Sequence, residues 1–78
     1  MSIYYFHIHN DEVTIDEEGI DLRDDASAVE YGIQAARSLA AADVSEGRLT
    51  LSDRIVVEDK DHKLVKEICF GDAVLIRQ

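Results

Sequence analysis

Two histidines near the start of the chain have the residue type and spacing of metal ligands. His7 and His9 lie two positions apart in an aromatic and β-branched segment, and alternate residues of a strand point to one face. Imidazoles placed in this way can bind zinc, copper or nickel. A site needs three or four ligands, and His62, Asp11 or Glu12 could complete one. The alternative is a half-buried His7 hydrogen-bonded to a neighbouring strand and a solvent-facing His9. We predict no tight metal site and no cofactor.

A strongly acidic segment between residues 11 and 25 is the second feature that could carry a site. It contains eight carboxylates and a single base, Arg23. Such a segment is typical of a solvated surface, and it also suits docking of a basic partner or a cation. The candidates for partner binding come from this segment and from the first strand: Tyr5, His7, Asp16, Glu17, Glu18 and Asp21.

Charge, hydropathy and cysteine content exclude several classes of protein. Seventeen acidic and eight basic residues give a net charge of −9, so direct binding to a nucleic acid backbone would be opposed by repulsion. No apolar stretch approaches the roughly 20 residues that span a bilayer. Cys69 is the only cysteine, which excludes an internal disulfide and fits a reducing compartment. The first residues lack the basic flank and apolar run of an export signal, so we expect a cytoplasmic protein.

The elements that would position these residues form one domain over residues 1–78. Strand-forming residues alternate over 3–9 and again over 13–16, which predicts a hairpin, and residues 20–22 can add a brief third strand. Two further strands, 54–58 and 64–70, are joined by a hairpin turn. The conformation of the segment after residue 70 is not predicted.

A long helix lies between the two groups of strands. Asp24 or Asp25 can cap its start and Gly47 suits the residue after its end. The sequence therefore predicts an α+β fold, with an antiparallel sheet of three to four strands in ββαββ order and one long helix packed on one face. The predicted helix stripe is Ala26, Val29, Ile33, Ala36, Leu39 or Ala40, and Val44. The predicted core is Phe6, Ile8, Ile33, Ile55, Val57, Ile68 and Phe70.

Several short motifs resemble one family over nearly the whole chain. The chain opens with YYFHIH, continues with DEEGIDL and an alanine-rich helix, and closes with ICFGDAV. This outline resembles a family of short bacterial proteins catalogued only as a domain of unknown function. The chain departs from it at His9, where a basic residue such as arginine is expected, and at Arg23, where proline is frequent. The resemblance implies the architecture and no chemistry. The matching residues are Tyr4, Tyr5, Phe6, His7, Ile8, Asp16, Glu17, Glu18, Gly19, Phe70, Asp72 and Ala73.

The short strands before an alanine-bearing helix also resemble the small domain of the HicB antitoxins, whose acidic character implies a basic toxin as partner. The outer face of the sheet is expected to place Tyr5 and His7 near Val56 and Glu58, a mixture too apolar for a solvated surface. We expect a non-enzymatic binding or adaptor module that acts through this surface as a homodimer. The alternatives are an antitoxin-like inhibitor of a small basic protein and a metal-binding domain that uses His7 and His9. No residue is predicted to be catalytic.

Overall fold

The computed structural model describes all 78 residues, Met1–Gln78, as one antiparallel sheet with a long helix on one face. The predicted α+β class is confirmed. The sheet has five strands rather than three or four, because two short strands both pair with the first. The elements are β1 (Ser2–His9), β2 (Val13–Thr14), β3 (Ile20–Leu22), α1 (Asp25–Ser45), β4 (Arg54–Glu58), β5 (Leu64–Cys69) and α2 (Phe70–Ala73).

β1 is the strand on which the rest of the sheet is built. Its last residues pair with β2, and its first three pair with β3. Its second half also pairs with β4, with Tyr5 opposite Glu58 and His7 opposite Val56. β4 then pairs with β5. Because neighbouring residues of a strand point to opposite faces, β1 and β4 send one set of side chains toward α1 and the other set away from it.

The core lies between α1 and the sheet, and the helix presents its smallest residues there. The buried stripe recurs at every fourth position: Ala28, Gly32, Ala36 and Ala40. A Cβ atom at Gly32 would lie 2.7 Å from Ile68 Cδ1 and 3.1 Å from Val57 Cγ2. The absent side chain therefore allows the helix axis to come close to the strands. The buried sheet-side residues are Tyr4, Ile55, Val57, Ile68 and Phe70.

This packing corrects two predictions. In the predicted helix stripe Ala36 and Ala40 are buried, but Ala26 and Val44 are exposed, and the contact is completed by Ala28 and Gly32. Large side chains flank the contact and small ones form it, because only small residues fit where the helix is nearest the sheet. Of the seven predicted core residues four are buried, whereas Phe6 and Ile33 are partly buried against the core and Ile8 is partly exposed.

Tyr4 was not predicted to be buried, and it ties β1 to the start of α1. Its hydroxyl donates a hydrogen bond to Asp25 Oδ1 at 2.6 Å. This bond to a carboxylate, together with burial of the ring, raises the pKa of Tyr4 to about 12. The preceding residue caps the helix start, since Asp24 Oδ1 accepts the Ser27 N–H at 2.8 Å. Gly47 follows the helix with a φ of 86°, as predicted.

The C-terminal segment begins with the short helix α2, which starts at Phe70. The last predicted strand therefore ends one residue early, at Cys69. α2 is held in place by α1, because the Arg37 side chain donates to the Ala73 carbonyl at 2.7 Å. No helix in the structure combines the length and the apolar character needed to cross a bilayer.

Candidate functional site

The face of the sheet that points away from α1 carries the candidate site, an open cleft that we call the sheet cleft. It has a volume of about 660 Å³. Its floor is formed by residues of β1 and β4, one wall by the chain after β2, and one end by the β4–β5 turn. The lining residues are Tyr5, His7, His9, Val13, Ile15, Asp16, Glu17, Val56, Glu58 and His62.

His7 is the buried residue of the cleft, only 6% exposed. Its Nδ1 accepts a hydrogen bond from the Asp16 backbone N–H at 3.0 Å. A neutral imidazole carries one proton, so the proton lies on Nε2, which is 2.8 Å from Glu58 Oε1 and donates to it. Both ring nitrogens are therefore occupied, and the tautomer of His7 follows from its two partners.

The histidine cluster has the spacing but not the hydrogen bonding of a metal site. Ligand atoms of His7, Glu58 and His62 all lie within 4.8 Å of one another. A metal-bound histidine donates its second ring N–H to an acceptor, whereas the second nitrogen of His7 accepts one. Binding a metal through Nε2 would require His7 to lose its only ring proton or the Asp16 bond. His9 lies outside the cluster, with Nδ1 3.5 Å from Arg54 Nη2. The absence of a tight metal site stays a prediction.

Glu58 joins two histidines through one carboxylate oxygen. Oε1 accepts from His7 Nε2 at 2.8 Å and lies 3.2 Å from His62 Nδ1. The hydrogen bond from His7 is the main cause of a Glu58 pKa below its usual value. Partial burial would raise this pKa, but the bonds from His7 and His62 together outweigh that effect. Glu58 is therefore an anionic anchor between a buried and an exposed imidazole.

His62 is the exposed member of this group and occupies an uncommon backbone conformation. Its φ is 62°, in the left-handed region that non-glycine residues rarely adopt. The turn is closed by the His62 N–H bond to the Asp59 carbonyl at 2.9 Å. The imidazole stacks on Tyr5, with ring centroids 4.6 Å apart. A residue held in such a conformation costs about 1 to 3 kcal/mol, and here the conformation brings the ring to both Tyr5 and Glu58.

Asp16 organises the cleft wall, residues 15–19, which we call the wall loop. One carboxylate oxygen accepts the Phe6 N–H at 3.1 Å, and the other accepts the N–H groups of Glu18 and Gly19 at 3.2 and 3.1 Å. Partial burial alone would raise the pKa of this carboxyl, but the three donors outweigh it and the pKa is below its usual value. Asp16 thus fastens the wall loop to β1 through its side chain and its own backbone N–H.

The structure brings together only part of the predicted site. Tyr5, His7, Asp16 and Glu17 line the sheet cleft, whereas Glu18 and Asp21 do not. The possible further ligands Asp11 and Glu12 line a separate polar pocket with Asp43, Arg48 and Asp53 among others.

Glu58 and His62 complete the cleft beside the first strand. Glu58 was expected near Tyr5 and His7 on the outer face of the sheet, and the β1–β4 pairing confirms this by setting Glu58 opposite Tyr5. His62 was predicted only as a turn residue and a possible metal ligand. The stacking of its ring on Tyr5 depends on the left-handed backbone conformation of His62, which local patterns do not reveal.

The fold and the cleft together define a class of protein: a small α+β domain with an open cleft, edged by acids, on the uncovered face of its sheet. The chain belongs to the family described as Domain of unknown function (DUF6894), whose model matches residues 3–71. This match confirms the expected resemblance to a family that has no assigned activity. No curated protein and no solved structure matches the chain.

Proposed function

We propose that this protein is a non-enzymatic binding module whose sheet cleft holds a positively charged segment of a partner protein. The observation that carries the proposal is an open, partly apolar surface on the face that α1 leaves uncovered. Val13 and Ile15 remain 58% and 59% exposed there, beside Tyr5 and Val56. Exposed apolar groups clustered in a concavity and rimmed by polar groups are typical of an interaction site.

The charge of the cleft favours a basic partner. Asp16, Glu17 and Glu58 line it, and no lysine or arginine does. The whole chain has a net charge of −9, so its field attracts basic segments and repels acidic ones. An antitoxin-like inhibitor of a small basic protein is the narrower form of this proposal.

A binding role is favoured over catalysis by the residues that face the cleft. No serine, threonine or cysteine lines it, so the histidines have no aliphatic hydroxyl or thiol to activate as a nucleophile. Both nitrogens of His7 are engaged in holding the wall loop and Glu58. These side chains set the shape and the charge of the sheet cleft. The cytoplasm, where Cys69 stays a free thiol, is the proposed location.

A positive charge added at the centre of the cleft should weaken partner binding. We expect Tyr5→Lys to reduce capture of basic proteins from a native lysate by about tenfold or more, because it adds a cation in the centre of the contact. The matched control is Tyr31→Lys, the same change on α1, at a residue that is 43% exposed. The measurement is quantitative mass spectrometry of proteins captured by the parent and both variants. Capture that Tyr5→Lys leaves unchanged, or captured proteins without a basic bias, would contradict the proposal.

Self-association through the same face is a second candidate function, favoured by the exposed Val13 and Ile15 beside Tyr5. Two copies around a twofold axis would bury Tyr5 on both sides. Repulsion between two chains of −9 opposes this, so a dimer should strengthen as salt shortens the screening length to about 8 Å.

Light scattering at low and physiological salt tests the dimer on the parent, Tyr5→Glu and the control Tyr31→Glu. If the homodimer forms through the cleft, the parent should have twice the monomer mass. The dimer fraction should rise with salt, and only Tyr5→Glu should be monomeric. A monomeric parent in both salts would remove this candidate. A dimer that persists in Tyr5→Glu would place the interface at a sheet edge or in the C-terminal segment.

A further inference from the structure

We infer that the wall loop is held on the sheet only while His7 is neutral, so that mild acid opens one wall of the sheet cleft. This opening is a property of the free chain and needs no partner. The two hydrogen bonds of His7 give its ring nitrogens opposite roles. Nδ1 accepts from the Asp16 N–H at 3.0 Å and Nε2 donates to Glu58 at 2.8 Å.

Protonation removes one of these roles. A charged imidazole donates at both nitrogens, so the new Nδ1–H would face the Asp16 N–H across the same 3.0 Å. Two donors cannot share that contact, and one of the two groups must leave. The ring is only 6% exposed, so water cannot separate the groups while the wall loop stays in place.

The groups around His7 decide that the loop moves rather than the ring. Glu58 accepts the hydrogen bond from Nε2. It holds the charged imidazole more firmly than the neutral one, because the contact then becomes an ion pair. A charged ring also attracts the Asp16 carboxylate, but that carboxylate accepts other N–H groups and leaves the Asp16 N–H against the new Nδ1–H. The titratable groups that face the ring from each neighbouring element are Tyr5 and His9 on β1, Glu58 on β4, His62 in the β4–β5 turn, and Asp16 and Glu17 in the wall loop.

Displacing the Asp16 backbone affects the whole wall. The same residue accepts the N–H groups of Phe6, Glu18 and Gly19 through its side chain. The Phe6 and His7 bonds are the two that join Asp16 to β1, so displacing Asp16 from the sheet weakens both. Ile15 and Glu17, the other wall residues of the cleft, lie on either side of that unit. The cleft therefore has this wall at neutral pH and lacks it in mild acid.

Nuclear magnetic resonance of the free, labelled full chain tests this between about pH 8 and about pH 5, where a histidine changes charge. Ring nitrogen shifts report the tautomer and charge of His7. Amide protection factors, which correct for the intrinsic pH dependence of exchange, report the loop. We expect protection at Asp16 and Phe6 to fall by about tenfold or more, at the pH at which the His7 ring shifts change. The Val57 amide in the core should keep its protection.

Two variants separate His7 from its neighbours. His7→Gln offers one acceptor and one donor group without a titrating charge, so its wall loop should stay protected in mild acid. His62→Gln removes the other histidine beside Glu58 and should keep the parent's transition. A charged His7 with unchanged protection at Asp16 would overturn the inference, and so would loop opening at the same pH in His7→Gln. The parent titration decides the question by itself if His7→Gln does not fold.

Discussion

Phe70→Ala is expected to lower the free energy of unfolding at 25 °C by about 3 to 5 kcal/mol. Phe70 is 2% exposed and is among the largest fully buried side chains, with Ile55 and Val57. Truncating a buried phenylalanine typically costs about 3 to 5 kcal/mol. The total stability of a small domain is about 5 to 10 kcal/mol, so between about a third and all of it would be lost. Urea unfolding followed by circular dichroism measures the change in the free energy of unfolding.

Phe6→Ala is the matched control for this experiment. It removes the same atoms from a ring that is only partly buried and that contacts Tyr31, with centroids 4.8 Å apart. A half-exposed ring has less apolar surface to lose, so the loss of stability should be about half that of Phe70→Ala. Equal losses in the two variants, or a Phe70→Ala protein within about 1 kcal/mol of the parent, would show that the core is not centred where the structure places it.

The fold class could be predicted because local patterns carry it. Alternation of apolar residues in the first and fourth strands indicated which residues face the helix, and Ile55 and Val57 are indeed buried. The helix ends were indicated by capping chemistry, since Asp24 accepts the Ser27 N–H and Gly47 takes a positive φ. Each of these signals lies within a few residues of the feature that it predicts.

The helix-facing stripe was predicted in part, because hydrophobicity and closeness of packing select different residues. The alanines and Gly32 indicated a close approach to the strands, and Gly32 and Ala36 are buried there. At Gly32 an added Cβ would meet Ile68 and Val57. The large apolar period through Val29 and Ile33 is only partly buried, and the position of the strands decides which residues lie nearest the sheet.

The candidate site was predicted by residue type and completed by tertiary contacts. Alternation placed His7 and His9 on one face, and both line the sheet cleft. The partners of His7 come from elsewhere: Glu58 through the β1–β4 pairing and Asp16 through the return of the chain after β2. These contacts change the chemistry, because they convert His7 from a possible ligand into a residue with both nitrogens engaged.

Asp16→Ala is expected to disorder the wall loop and to lower stability by about 1.5 to 3 kcal/mol, the range for hydrogen bonds to a charged group. The Phe6, Glu18 and Gly19 N–H groups would all lose their acceptor. The matched control is Glu17→Ala, because Glu17 is the exposed next residue of the same loop and accepts none of these bonds. Urea unfolding and amide exchange of Gly19 measure the two effects. A loss in Asp16→Ala no larger than in Glu17→Ala would contradict the role of the carboxylate.

The same carboxylate makes stability depend on acid pH, and the direction follows from its lowered pKa. Asp16 and Glu58 both have folded-state pKa values below their usual ones. Each therefore contributes stability that is present above the unfolded-state value of about 4 and is lost as the pH falls through the folded-state value. The melting temperature of the parent should fall from about pH 5 toward about pH 3. The fall should be smaller in Asp16→Asn, which cannot titrate, and unchanged in Glu17→Gln, which removes the same charge outside the hydrogen-bonded cluster. Thermal melts at fixed ionic strength measure the three slopes, and an identical slope in Asp16→Asn and the parent would show that Asp16 does not couple folding to protons.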